Sequence, residues 1–115
     1  MNGPPPRRGD LYLVDFERFS GSMGKPRPAV VVSIDSMNAY SMYVTVAALR
    51  SAAGKRRLPV HAFVPAGEGG LLKDSLVDAG HVATVDKAVL RQPIGRLGPQ
   101  TMERVGTVLR YYLGL

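Results

Sequence analysis

Apolar residues in this chain come in short bursts. The longest unbroken runs are about four residues, such as Ala29–Val32 and Val46–Leu49, against the roughly 18–20 needed to cross a bilayer. Bursts this short, rich in valine and bounded by glycine, proline or charge, predict several β-strands around one small core. A length of 115 residues, 45% of them hydrophobic, suits a single domain.

The strands are expected over Asp10–Phe16, Ala29–Ser33, Met42–Leu49 and Leu58–Val64, with shorter ones at Ser75–Val77, His81–Val82 and Ile94–Arg96. The unbroken Ala29–Val32 run predicts burial on both faces, as in a central strand of a small barrel. Pro59 falls near the start of its strand, where a missing N–H matters least. Helical turns are expected at Asp35–Ala39, capped by Ser33 or Asp35, and at Val85–Leu90. One stretch departs from the β pattern. Pro99–Leu113 carries Met102, Val105, Val108, Leu109 and Tyr112 at helical spacing, with Pro99 in its first turn and Gly114 after its end. The expected fold is α+β and mainly β: a small, strongly bent sheet or barrel with a C-terminal helix.

The opening MNGPPPRRGD has no apolar stretch behind its charges, so it does not read as a secretory signal. Residues 1–8 are expected to form a flexible arm and residues 9–115 the domain, with the cytoplasm as the default compartment. The chain has no cysteine, which rules out disulfides, thiolate metal sites and thiol nucleophiles.

Net charge is +6 and unevenly placed: residues 1–57 hold nine Lys/Arg against four Asp/Glu, residues 58–115 six against five. A basic half of this kind suits a polyanion or an acidic protein partner. The densest cluster is Arg50, Lys55, Arg56 and Arg57, in an expected loop over Arg50–Arg57. In such a loop, cations supply phosphate affinity without sequence choice.

Other motifs carry less. Gly67–Gly70 lacks the lysine and hydroxyl of a phosphate-binding loop and reads as a flexible loop. His61 and His81 have no further ligands at metal-binding spacing. Ser75, His61 and Asp78 lack any nucleophile-elbow pattern.

Arg27 stands out. Pro26 and Pro28 have fixed φ angles and push Lys25 and Arg27 toward extended backbone. The arginine is thus presented on stiff chain at the mouth of a buried strand, and its fork of N–H donors suits a phosphate.

In order, RRGDLYLVDF, GKPRPAVVVS, KDSLV, HVATVDKAVL and IGRLGPQTMERVGTVLRYYLGL resemble the segments of the MazF/PemK family of bacterial toxin endoribonucleases, from about Arg8 onward. The resemblance implies an SH3-like barrel of the MazF/PemK/CcdB toxin type. It implies a homodimer that cuts single-stranded mRNA without a metal or other cofactor, through attack of a 2′-hydroxyl on the adjacent phosphate. It also implies a cognate antitoxin with an acidic tail, and no membrane partner. The family's catalytic arginine matches Arg27; Ser22, Lys25, Lys55, Arg56 and Arg57 are the expected RNA-binding residues.

Two departures follow. The family's threonine after the third strand is replaced by Arg50, so either Ser51 takes over its hydroxyl role through a one-residue shift of the loop or Arg50 adds a second cation. Before TVDK, the family's acidic residue and glutamine are Gly80 and His81, and an arginine found further upstream in some members is Asp78. His81 is placed to substitute as a proton carrier. A catalytically silent RNA- or antitoxin-binding module of the same fold is the alternative, and a CcdB-like gyrase poison a more remote one. The latter class relies on a C-terminal tryptophan, and this chain has none.

Overall fold

The computed structural model describes residues 3–16, 26–54 and 56–115. Six strands form one antiparallel sheet: β1 (Asp10–Val14), β2 (Arg27–Val31), β3 (Tyr43–Ser51), β4 (His61–Val64), β5 (Ser75–Asp86) and β6 (Leu90–Arg96). Their spatial order is β4-β5-β3-β2-β1-β6. Among the described residues two α-helices interrupt or follow it, α1 (Asp35–Tyr40) and α2 (Pro99–Leu113).

The valine runs are explained by the position of β2, which pairs with β1 on one side and β3 on the other. Side chains alternate across the sheet, so Val30 joins Leu11, Leu49 and Val77 in a layer closed by Val105 and Val108 of α2. Ala29 and Val31 face the other way, into a layer with Val14, Val46, Val85, Val89 and Leu90. Each fully buried valine contributes about 1.5–3 kcal/mol relative to exposure. Both faces of the central strand are therefore apolar, as its sequence predicts.

Strand β4 and strand β6 are the two edges of the sheet. The segment after β4 folds back over β6 and gives the sheet a barrel-like curl without a closed ladder. Gly67–Gly70, expected as a flexible loop, is instead a packed joint. Gly69 and Gly70 adopt φ values of 63° and 83°, which glycine alone takes without strain. A Cβ on Gly95 would sit 2.2 Å from the Gly69 carbonyl oxygen, so only backbone fits at this crossing. Next to it, Glu68 Oε2 accepts the Gly98 N–H at 3.0 Å, at the entrance to α2.

Helix α2 has the predicted bounds, with Pro99 in its first turn and Gly114 in left-handed conformation at its end. Of its predicted contact face, Val105 and Val108 are buried and Met102 and Leu109 partly so, while Tyr112 remains 53% exposed. Helix α1 starts without a side-chain cap. Asp35 instead accepts the Arg8 N–H at 2.7 Å. The Arg8 guanidinium donates to the Val32 carbonyl, so the end of the expected flexible arm is tied to the domain.

Three boundary shifts affect function. Strand β2 begins at Arg27, two residues before the expected start, which puts this arginine in the ladder opposite Val14. Strand β3 runs on to Ser51, so Arg50 and Ser51 are strand residues and not loop residues. The two short strands expected around Asp78-Ala79-Gly80 are one long strand with a bulge. Between the pairs Leu49↔Val77 and Ala47↔Val82, residues 78–81 face only Ala48. Elsewhere β4 starts at His61 and not at Leu58, because Leu58–Val60 form a turn closed by the His61 N–H on the Leu58 carbonyl at 2.9 Å.

Candidate functional site

Ala29 pairs with Ala48 across β2 and β3. Two residues further along each strand stand Arg27 and Arg50, which alternation places on the same face. Together with Pro28, Leu49 and Ser51 they line an open cleft of about 480 Å³. A neighbouring cavity of about 380 Å³ shares Pro28, Leu49, Arg50 and Ser51 with it and runs on past Leu71, Leu72, Lys73 and Ile94. One end of the combined groove is thus cationic and the other mostly apolar.

Arg27 is exposed, and among the described residues none pairs with its guanidinium. Its ladder position restrains the backbone while leaving the fork of donors unused. Arg50 differs. Its Nε lies 3.5 Å from Asp78 Oδ2, and the Asp78 side chain is only 6% exposed. That carboxylate is the centre of a polar cluster that the sequence did not disclose. His81 Nδ1 lies 2.9 Å from Asp78 Oδ2, the Gly80 N–H donates to Oδ1 at 2.8 Å, and His61 Nε2 stands 3.9 Å from Oδ1. The bulge in β5 makes this possible, because it turns Asp78 and His81 toward one another over four residues.

Chemistry fixes the protons. An ionised carboxylate only accepts, so the His81 nitrogen facing it, Nδ1, is a donor. His61 Nδ1 accepts the Leu58 N–H at 3.2 Å, which leaves its proton on Nε2, toward Asp78. His61 is therefore structural, a mostly enclosed ring with 9% of its side chain exposed. The His81 side chain is 58% exposed, and in the neutral ring with Nδ1 protonated the lone pair lies on Nε2.

Ser51 Oγ accepts the Ala53 N–H at 3.2 Å, so its own proton remains available to a ligand in the cleft. Arg50 and Ser51, the two residues weighed for the place of the family threonine, both line the cleft.

Arg27, Arg50 and Ser51 line one cleft; His81 is not among its lining residues and is linked to Arg50 through Asp78. The basic loop is a different matter. Arg57 lies over the Phe63 ring at 4.8 Å and lines a separate cavity of about 240 Å³ with His61, Arg104 and Thr107. Arg56 is exposed. Ser22, Lys25 and Lys55 lie outside the described residues. A clue to Asp78 was present in the sequence as an acidic residue in a run of buried strand, and the bulge that recruits it was not.

The description of PemK-like, MazF-like toxins of type II toxin–antitoxin systems matches residues 7–113. The chain is 34% identical over 110 residues to the endoribonuclease MazF of Staphylococcus saprophyticus, covering 95% of this chain and 92% of that protein. Among solved structures it resembles a mycobacterial endoribonuclease in complex with its cognate antitoxin, at a TM-score of 0.76 and 26% identity over 96% of each chain. The fold also matches MazF from Deinococcus radiodurans, with a TM-score of 0.79 and 23% identity over 96% of this chain and 98% of that one. The chain belongs to the PemK-like, MazF-like toxins of type II toxin–antitoxin systems.

Proposed function

We propose that this toxin is an endoribonuclease that cuts single-stranded mRNA in the cleft between β2 and β3, acting in the cytoplasm where that substrate is found. The observation that carries this reading is the pair of guanidiniums, Arg27 and Arg50, flanking one open cleft beside the Ser51 hydroxyl. Two such groups against a single buried carboxylate leave net positive charge where a phosphodiester would lie.

The reaction is intramolecular in the substrate. A 2′-hydroxyl gives up its proton, O2′ bonds to the adjacent phosphorus, and the bond from phosphorus to O5′ breaks. The products are a 2′,3′-cyclic phosphate and a 5′-hydroxyl whose oxygen has taken a proton. Negative charge peaks on the pentacoordinate phosphorane, and preorganised N–H donors aimed at it typically contribute 10²- to about 10³-fold each.

Arg27 is assigned this role, with Arg50 as a second donor and Ser51 Oγ–H as a third. None of the three is a suitable base, since a guanidinium is a donor with no acceptor lone pair and a serine hydroxyl is only weakly basic. His81, with its Nε2 lone pair, is the proton carrier of the set. Charge supplied by the two arginines takes the place of a divalent cation, so the reaction needs no metal.

Lys25, Ser22, Lys55, Arg56 and Arg57 serve as phosphate contacts that lengthen the RNA footprint. The same basic surface suits the acidic segment of a cognate antitoxin, and the working unit is a homodimer. The deciding experiment incubates purified protein with a long unstructured RNA in excess EDTA. Discrete cuts with cyclic-phosphate ends, abolished in Arg27→Ala, are the expected result. Intact RNA at high protein excess, or cutting unchanged in Arg27→Ala, overturns it.

A further inference from the structure

The Asp78 carboxylate has a job that charge neutralisation alone does not explain. It is 6% exposed, and among the described residues its hydrogen-bond and ion-pair partners are all donors. Arg50 Nε comes from β3, His61 Nε2 from β4, and the Gly80 N–H and His81 Nδ1 from the bulge of β5 itself. Burying a carboxylate costs several kcal/mol unless such partners are supplied. Here they are supplied unequally. One oxygen, Oδ1, is anchored by the Gly80 backbone. The other, Oδ2, is shared by two side chains of the candidate site, His81 at 2.9 Å and Arg50 at 3.5 Å.

We propose that Asp78 is a positioning residue for the cleavage reaction: its Oδ2 holds the His81 imidazole as the Nδ1–H tautomer and tethers Arg50 beside it, so that one buried carboxylate orients the proton carrier and the second guanidinium together. This rests on the function proposed above for His81 and Arg50.

The physical consequence is specific. An exposed neutral histidine exchanges between two tautomers, and only the form with Nε2 unprotonated has its lone pair on the outward nitrogen. The carboxylate selects that form. It also stabilises the imidazolium that appears once the ring has taken a proton from the 2′-hydroxyl. At the same time the Asp78–Arg50 contact restrains a long side chain that otherwise samples many rotamers, so less freedom is lost when a phosphate arrives. His61 completes the enclosure. Its Nδ1 is occupied by the Leu58 N–H, so it keeps Nε2–H toward Asp78 and does not compete as a base.

The test has two arms with separate failures. The first is long-range 1H–15N NMR of the free protein above the imidazole titration, and it needs no RNA. The parent is expected to show His81 protonated at Nδ1, and Asp78→Asn a mixture of tautomers. A parent His81 protonated at Nε2 overturns the proposal, whatever the protein does to RNA.

The second arm measures cleavage by Asp78→Asn in the parent and in a His81→Gln background, with folding checked by circular dichroism. Loss of the orienting carboxylate is expected to lower kcat about 10²-fold, with KM little changed and the pH–rate profile altered on the limb assigned to the base. In the His81→Gln background the same substitution is expected to cost far less, because the two residues act as a unit. Equal cost in both backgrounds marks a purely structural carboxylate and overturns the proposal. A parent that leaves RNA intact defeats the proposed function and the positioning role with it, whereas RNA cleaved by a parent whose His81 is protonated at Nε2 defeats the positioning role alone.

Discussion

Two sets of arginines in this protein differ in what stands opposite them. At the end of the sheet near β6, Arg96 donates to Asp10 Oδ1 at 2.6 Å and to the Arg8 carbonyl at 3.0 Å. Close by, Arg7 approaches Asp35 at 3.9 Å and Arg8 is bound to the Val32 carbonyl. Those cations stitch the first residues of the domain to the sheet. At the cleft, Arg27 has no described partner and Arg50 shares its carboxylate with a histidine. Residue type is the same in both places. A cation whose donors are consumed by the fold contributes to stability, whereas one held on rigid backbone with donors unspent is available to a ligand.

The sharpest way to break this comparison is to exchange the two losses. Arg27→Ala is expected to reduce kcat/KM about 10²- to 10³-fold and to leave the thermal midpoint almost unchanged. Arg96→Ala is expected to do the reverse. It retains cleavage per folded molecule but loses about 1 kcal/mol of stability, in line with a partly exposed charged hydrogen bond. Denaturant titration and single-turnover cleavage on the same samples check both. If Arg27→Ala destabilises the fold as much as Arg96→Ala does, the distinction fails.

Arg50 belongs partly to each class, so Arg50→Ala is expected to show intermediate effects on both scales. Cleavage should fall about tenfold to a hundredfold. Stability should fall by about 1 kcal/mol, since Asp78 keeps His81 and the Gly80 N–H as donors. Salt provides an independent measure. Each phosphate contact removed from a single-stranded complex lowers the slope of log K against log[salt] by about 0.7. RNA binding by Arg27→Ala and by Arg50→Ala should each show a reduction of that size, and Arg96→Ala none.

How much of this was visible beforehand depended on distance along the chain. The proline–arginine alternation around Arg27 is local, and local rules predicted an extended, stiff presentation at a strand mouth. The terminal helix was legible for the same reason, since periodicity, Pro99 and Gly114 all lie within it. Arg50 was placed in a loop because its neighbours, Ser51 to Gly54, look like loop. Pairing with Leu76 across the sheet extends β3 through it, and pairing is not a local property. The role of Asp78 was hidden for a stronger reason. It depends on a bulge that sets four residues of β5 against one of β3, so that donors from three strands converge on one carboxylate. The Gly67–Gly70 run was misread because composition signals permissive backbone, and here that freedom serves close contact with Gly95.

The smallest expected effect concerns Tyr12, which sits beside the stitched end and reports on it. Its phenol is pushed above the ordinary value of 10.0, first by partial burial and second by the Asp10 carboxylate. The neutral phenol is therefore favoured by folding. The stability it contributes is fully present below the unfolded value near 10 and is lost as pH rises through the higher folded value. Arg96 partly offsets the field of Asp10, so Arg96→Ala should raise the Tyr12 titration further, whereas Arg27→Ala should leave it in place. Difference absorbance of the phenolate against a Tyr12→Phe reference isolates this one ring from the other four tyrosines. A Tyr12 titration that responds equally to both substitutions would mean the two ends of the sheet are electrostatically continuous, and the division between stitching and cleft arginines would then need a cause other than the carboxylate opposite each one.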